Sequence, residues 1–190
     1  MDVPRHIEKW RAAKTAGKVL PPVEETEDWR PDRLPGKVAF DTAYRALRSN
    51  AEVVVDDFMK MDVAKLGTFD VTLFLGVLYH MKDPLESLSR LARVTNTVAV
   101  IETHAVAIPM YEHLELAEFY SANQLNADST NWWGMNRKAI VGMCRAAGFA
   151  RAEVISPVEN RSALRRALST ARTVVSRKPR YMRAVVHAWK

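Results

Sequence analysis

Two short stretches gather the residue types that carry chemistry. Gly76, Tyr79 and His80 close the apolar run FDVTLFLGVLYH, and Glu102 and His104 close the next apolar run downstream. A histidine has an ordinary pKa near neutrality, so His80 is a candidate general base, although a lone histidine is more often structural. Glu102 and His104, at the end of the following strand, could face the same cleft. Together with Glu112 and His113 they would suggest a metal cluster, but the spacing matches no specific ligand set, and no metal is expected. A third stretch, NWWGMN, brings Asn131, Trp132, Trp133 and Asn136 together. Paired tryptophans exclude water and offer stacking surface, so these residues read as a lid over a bound acceptor or as an apolar plug under a loop.

The elements that must position these groups follow from periodicity. Val71, Leu73, Phe74, Leu75, Val77 and Leu78 form a near-continuous apolar run, which predicts a parallel strand covered on both faces rather than an edge strand. Gly76 lets a ligand or backbone come close. Asp83 and Glu86 flank Pro84 in capping-box spacing, so a helix should start at about Pro84, with Leu85, Leu88, Leu91 and Ala92 on its buried face. In open α/β sheets, ligands sit beyond the carboxyl ends of the strands, which puts Gly76, Tyr79 and His80 at the expected site. Upstream, Phe40, Ala43, Tyr44 and Leu47 predict an amphipathic helix over 37–48, and 52–56 reads as a short strand. Downstream, 97–101 reads as a strand and 102–131 as a long polar-aromatic stretch. A helix is expected over 137–147, capped by Asn136, then a strand at 152–155, a basic amphipathic helix over 159–175 and a final strand over 181–189. Strands alternating with helices predict an α/β sandwich with a mostly parallel sheet.

The bulk properties bound the class. A chain of 190 residues that is 48% hydrophobic supports one domain with a real core. Within it, 1–36 reads as a helix and an extended connector, and 159–190 as the basic helix and last strand. The formal net charge is +6, and the excess is local: no Asp or Glu follows Asn160. That basic segment could meet RNA phosphates or an acidic partner, or be a solvated face. The single cysteine, Cys144, can form neither an internal disulfide nor a thiolate zinc site, which points to a reducing compartment and hence the cytoplasm. No segment approaches the roughly 20 apolar residues of a spanning helix, so no membrane role is expected.

Several separated motifs, covering roughly residues 1–155, resemble the class I S-adenosylmethionine-dependent methyltransferases, in the branch related to the tRNA wobble-uridine carboxymethyl-transferring enzyme. GVLYH at Gly76–His80 with Asp83-Pro84 and a leucine helix looks like that branch's fourth-strand motif. Trp29 to Asp41, the Asp57-Phe58-Met59 turn and NWWGMN at Asn131–Asn136 are similar too. The resemblance implies a Rossmann-like sandwich and S-adenosylmethionine as cofactor. It further implies that Asp57 and the Phe58 amide meet the adenine, and that the Leu75 and Gly76 carbonyls meet the cofactor's amino group. Tyr79 would touch the reacting end, its ring favouring the sulfonium and its hydroxyl orienting a nucleophile.

One departure accompanies the resemblance. The family's first strand, its glycine-rich turn and the acidic end of its second strand have no counterpart, and the seven glycines form no such loop. The sequence resembles the family from a point just past the second strand, so the sheet is expected to lack two strands between its third and fourth. Strand 3 should then pair directly with strand 4, hang loose, or leave a gap for a partner chain or a second copy. The expected function is methyl transfer to a small-molecule or RNA acceptor by a truncated form. The alternatives are a catalytically inactive methyltransferase-like fragment that binds a partner, and a basic RNA-binding module.

Overall fold

The computed structural model describes residues 8, 12–13, 15–18, 35–108, 110–122, 124–126, 130–155 and 179–190. The expected N-terminal helix and connector, for the most part, and the basic helix over 159–175 lie outside the described residues. The chain divides into two compact units, Met1–Lys60 with Ser121–Thr130, and Met61–Tyr120 with Asn131–Lys190.

In the first unit, helix α1 spans Pro35–Ala46. Its predicted stripe is present, with the Phe40 and Tyr44 rings stacked at 5.9 Å one turn apart. The strand expected at 52–56 is not formed. Residues 51–55 pair with no strand among the described residues, and Val53, Val54 and Val55 are exposed.

In the second unit, a six-stranded sheet carries two α-helices among the described residues. Strand β1, Phe69–Leu75, runs parallel to β2, Thr95–Ala107, with Val71 opposite Val98 and Leu75 opposite Glu102. Helix α2, Pro84–Arg93, connects them, and its cap is the one expected: Asp83 Oδ1 accepts from the Glu86 amide at 2.9 Å. Short strands β3, Ala117–Phe119, and β4, Trp133–Met135, form an antiparallel pair, and β4 meets β2 at Ala105. Helix α3, Arg137–Ala146, leads into β5, Arg151–Val154. Strand β6, Arg180–Trp189, lies antiparallel between β2 and β5.

Two expectations about the sheet are corrected. It is mixed rather than mostly parallel, because three of its five ladders are antiparallel. Strand β1 is also not covered on both faces. It pairs only with β2 among the described residues, and its burial alternates: Thr72 and Phe74 are buried, while Phe69, Val71, Leu73 and Leu75 are 46–65% exposed. The uninterrupted apolar run therefore presents four unmatched side chains on one face of an edge strand, which soluble proteins ordinarily avoid.

The opposite face forms the core. Helices α2 and α3 pack on each other, α2 also on β2, and α3 on β5 and β6. Leu88, Leu91, Ala92, Ile140 and Cys144 meet Phe74, Ala99, Ile101 and Val186 there. Burial pushes the Cys144 thiol up to about 12, so it is inert packing at neutral pH. No helix among the described residues is long and apolar enough to cross a membrane.

Candidate functional site

Strand β6 covers one edge of β2 over Val98–Ala107, so β1 and β4 meet the other edge in succession. The chain between Leu75 and Pro84 therefore emerges beside β4, and hydrogen bonds tie the two together. Gly76 donates to the Glu102 carbonyl at 2.8 Å, extending the ladder by one residue, and its φ of 72° then turns the chain out of the sheet. Leu78–His80 forms a single 3-10 turn with Leu78 fully buried. The Trp132 amide donates to the Tyr79 carbonyl at 2.9 Å, and the Trp133 indole to the Lys82 carbonyl at 3.2 Å.

Side-chain alternation puts Glu102 and His104 on one face of β2, and the β6 register puts Arg183 directly opposite His104. Arg183 forms a two-pronged ion pair with Glu102, which holds the guanidinium charged. The same guanidinium lies 5.0 Å from the centre of the Tyr79 ring. That ring stacks on His80 at 4.0 Å and meets the edge of His104 at 6.0 Å.

Beside Tyr79 lies a polar chain whose inner members, His104 and Tyr120, are buried and whose outer members, Glu118 and Tyr181, reach the surface. His104 Nε2 is 3.1 Å from the Tyr120 hydroxyl, and that hydroxyl donates to Glu118 Oε2 at 3.1 Å. Tyr181 donates to the other oxygen of Glu118 at 3.3 Å. Burial first, and the Arg183 charge second, lower His104 to about 4, so its imidazole is neutral at physiological pH. Burial and the Glu118 carboxylate raise Tyr120 and Tyr181, which remain phenols. Gly134 makes the chain sterically possible: a Cβ there would lie 2.2 Å from the Tyr120 hydroxyl and 3.3 Å from His104 Nε2.

The tip, Tyr79, His80, Glu102 and His104, is thus one cluster, with Leu75 and Gly76 leading into it. Trp132 and Trp133 border it and are held in place: Phe119 packs on both rings, at 6.3 and 4.9 Å, and the Lys82 ammonium sits 5.3 Å from the Trp132 ring centre. Asn131 is buried beside them. Asn136 spends its side chain on structure, capping α3 through Ala139 at 2.8 Å and donating to the Leu114 carbonyl at 2.7 Å. Asp57 and Phe58 belong to the first unit. There Asp57 Oδ1 accepts from the Met59 amide at 2.8 Å, a turn-acid geometry, and no strand precedes it among the described residues. Tyr120, Glu118, Tyr181 and Arg183 escaped sequence reasoning. Their one signal was alternation of polar and apolar residues along β6, and nothing in the sequence linked 118–120 to β2.

No cluster of three or more His, Cys, Asp or Glu side chains suited to a metal ion occurs among the described residues. A cavity of about 240 Å³ beside the start of α3 is lined by Val106, Ala107, Asn136, Arg137, Lys138 and Arg180, with none of the tip residues in its wall.

With this geometry in hand, the fold shows structural similarity to class I S-adenosylmethionine-dependent methyltransferases at low sequence identity. The N-terminal domain of EvdMO1, solved in the presence of S-adenosylhomocysteine and D-fucose, superposes with a TM-score of 0.53 and 22% identity over 81% of this chain and 60% of that one. Full-length EvdMO1 gives 0.50 and 23% identity over 81% of this chain, which spans 28% of it. YcgJ from Bacillus subtilis gives 0.51 and 13% identity over 81% of this chain and 77% of its own. No protein-family model and no curated protein sequence matches the chain. What these relationships define is a methyltransferase-like fold, of which the chain spans about three fifths of the EvdMO1 N-terminal domain.

Proposed function

We propose that this chain provides the acceptor-side half of an S-adenosylmethionine-dependent methyltransferase site, for a small-molecule acceptor. The observation that carries the reading is the turn at Gly76. It ends β1, and the chain it releases is tied to the Trp132–Trp133 segment, so that backbone, aromatic and titratable groups converge beyond a carboxyl end.

The fit of the cofactor is divided. Added bulk at Gly76 would meet only side-chain ends of Arg183 and Glu102, at 3.7 and 3.9 Å, so the backbone of Leu75 and Gly76 can be approached closely. The Tyr79 ring does not fit the role the resemblance gives it, because the Arg183 cation already sits over it and would repel a sulfonium. Leu75 and Gly76 are thus the residues that would hold the cofactor's amino group. Bound S-adenosylmethionine supplies an electrophilic methyl carbon. The chain's own part is to position the acceptor between the Tyr79 turn and the Trp132–Trp133 wall, and to exclude water from it.

The edge of β1 that pairs with no strand among the described residues, and the exposed face of β1, favour a second reading, in which the chain is a methyltransferase-like fragment whose site is completed by a partner chain or a second copy adding a strand there. Titration calorimetry of the chain with S-adenosylmethionine and S-adenosylhomocysteine separates the two. Heat of binding supports the enzyme reading, and its absence at millimolar ligand, with the protein folded, supports the fragment.

A further inference from the structure

The hydrogen-bond chain beside Tyr79 has a fixed direction. Glu118 has donors on both carboxylate oxygens, Tyr120 on one and Tyr181 on the other. A tyrosine has a single proton, and that of Tyr120 points to Glu118. The Tyr120 oxygen is therefore an acceptor toward His104, and the proton between them must sit on Nε2. A neutral imidazole carrying its proton on Nε2 has a bare lone pair on Nδ1. Nδ1 makes no hydrogen bond to the described residues. The ring, 6% exposed, stands on the same sheet face as Glu102 and beside Tyr79.

We propose that Glu118 and Tyr120 are positioning residues that hold His104 in its Nε2–H form, and that His104 Nδ1 accepts the proton from the acceptor group being methylated. This rests on the methyltransferase reading given above. In the step, the O–H or N–H bond of the acceptor breaks and its proton passes to Nδ1. The acceptor's electron pair forms the new bond to the methyl carbon, and the carbon–sulfur bond breaks with its pair going to sulfur, leaving a neutral thioether. The imidazolium then releases its proton to water.

The arrangement supplies what a buried histidine needs for this task. A proton gained at Nδ1 makes Nε2–H a stronger donor to Tyr120, which in turn strengthens its bond to the Glu118 carboxylate, so the charge is compensated two residues away. Arg183 opposes the gain, and the rings of Tyr79 and Tyr181 flank the imidazole at 6.0 and 5.5 Å. The balance keeps the imidazole unprotonated and available at neutral pH.

The test is tautomer assignment by long-range 15N–1H NMR on the histidine-labelled full chain, without ligand, from pH 4 to 8. The expected spectrum shows His104 with a pyridine-like Nδ1 and a pyrrole-like Nε2 throughout the neutral range. Tyr120→Phe removes the acceptor for Nε2–H and should convert this signature to a mixture of tautomers, Glu118→Gln should lower the titration midpoint of His104, and Tyr181→Phe should leave the tautomer unchanged. A wild-type His104 protonated on Nδ1, or an unchanged tautomer in Tyr120→Phe, would overturn the proposal. Failure of the methyltransferase reading is visible separately, as loss of cofactor binding in the calorimetry with the His104 tautomer intact.

Discussion

The guanidinium of Arg183 lies 5.0 Å from the centre of the Tyr79 ring while its nitrogens engage Glu102. One cation thus occupies both the aromatic face and the carboxylate that a sulfonium would seek. Arg183→Gln frees both, so it should raise affinity for S-adenosylmethionine relative to uncharged-sulfur S-adenosylhomocysteine by about two- to five-fold, the worth of an exposed cation–π contact. Calorimetric titration of both ligands against both proteins measures the ratio. An unchanged ratio would mean that the Arg183 cation over Tyr79 does not oppose a bound sulfonium.

Gly134 leaves no room for a side chain beside Tyr120. Because an added Cβ would fall 2.2 Å from the Tyr120 hydroxyl, Gly134→Ala forces the tyrosine off His104. The expected cost is about 1–3 kcal/mol in urea unfolding, as for other overpacked cores. Combining it with Tyr120→Phe, which removes the clashing oxygen, should recover part of that loss.

The lowered His104 pKa makes stability depend on pH. Its value falls from 6.5 in the unfolded chain to about 4 in the folded one. Between those values the unfolded state binds the extra proton, so stability rises with pH through that window and is fully present above it. Acidification from pH 6.5 to 4 should cost on the order of 3 kcal/mol from this group. His104→Gln should flatten the pH dependence of the unfolding midpoint there, and an unaltered slope would contradict the burial of a neutral imidazole.

The two faces of β1 should respond differently to mutation. Phe74 is 7% exposed and Leu73 65%. Phe74→Ala is expected to cost about 3–5 kcal/mol. Leu73→Ser should stay within about 0.5 kcal/mol. Equal losses at both positions would show that something covers the outer face in solution, as a second copy or partner chain would.

Local signals carried much of the fold. The Asp83-Pro84-Glu86 cap, the Asn136 cap and the Leu88, Leu91 and Ala92 face of α2 were legible because each is written within a few residues, whereas Leu85, expected on that face, is exposed. The β1 run was legible as a strand parallel to its neighbour, yet composition alone could not tell a strand covered twice from one left open, since that depends on what packs against it. The 52–56 run shows the same dependence: β propensity yields a strand only where the run is paired, and this run pairs with no strand among the described residues. At the site, Gly76, Tyr79, Glu102 and His104 were found from their place at strand ends. Tyr120, Glu118, Tyr181 and Arg183 were not, because they reach His104 and Tyr79 only through the long-range register of β6 on β2 and of β3 on β4.

The central claim, that the Gly76–His80 turn meets a methyl donor, is tested most directly by amide NMR of the chain during titration with S-adenosylhomocysteine to millimolar concentration. The account predicts shifts concentrated at Leu75, Gly76 and Tyr79, with Gly148 at the end of α3 unaffected. Binding with shifts elsewhere, or no shift at Gly76 at saturating ligand, would contradict it.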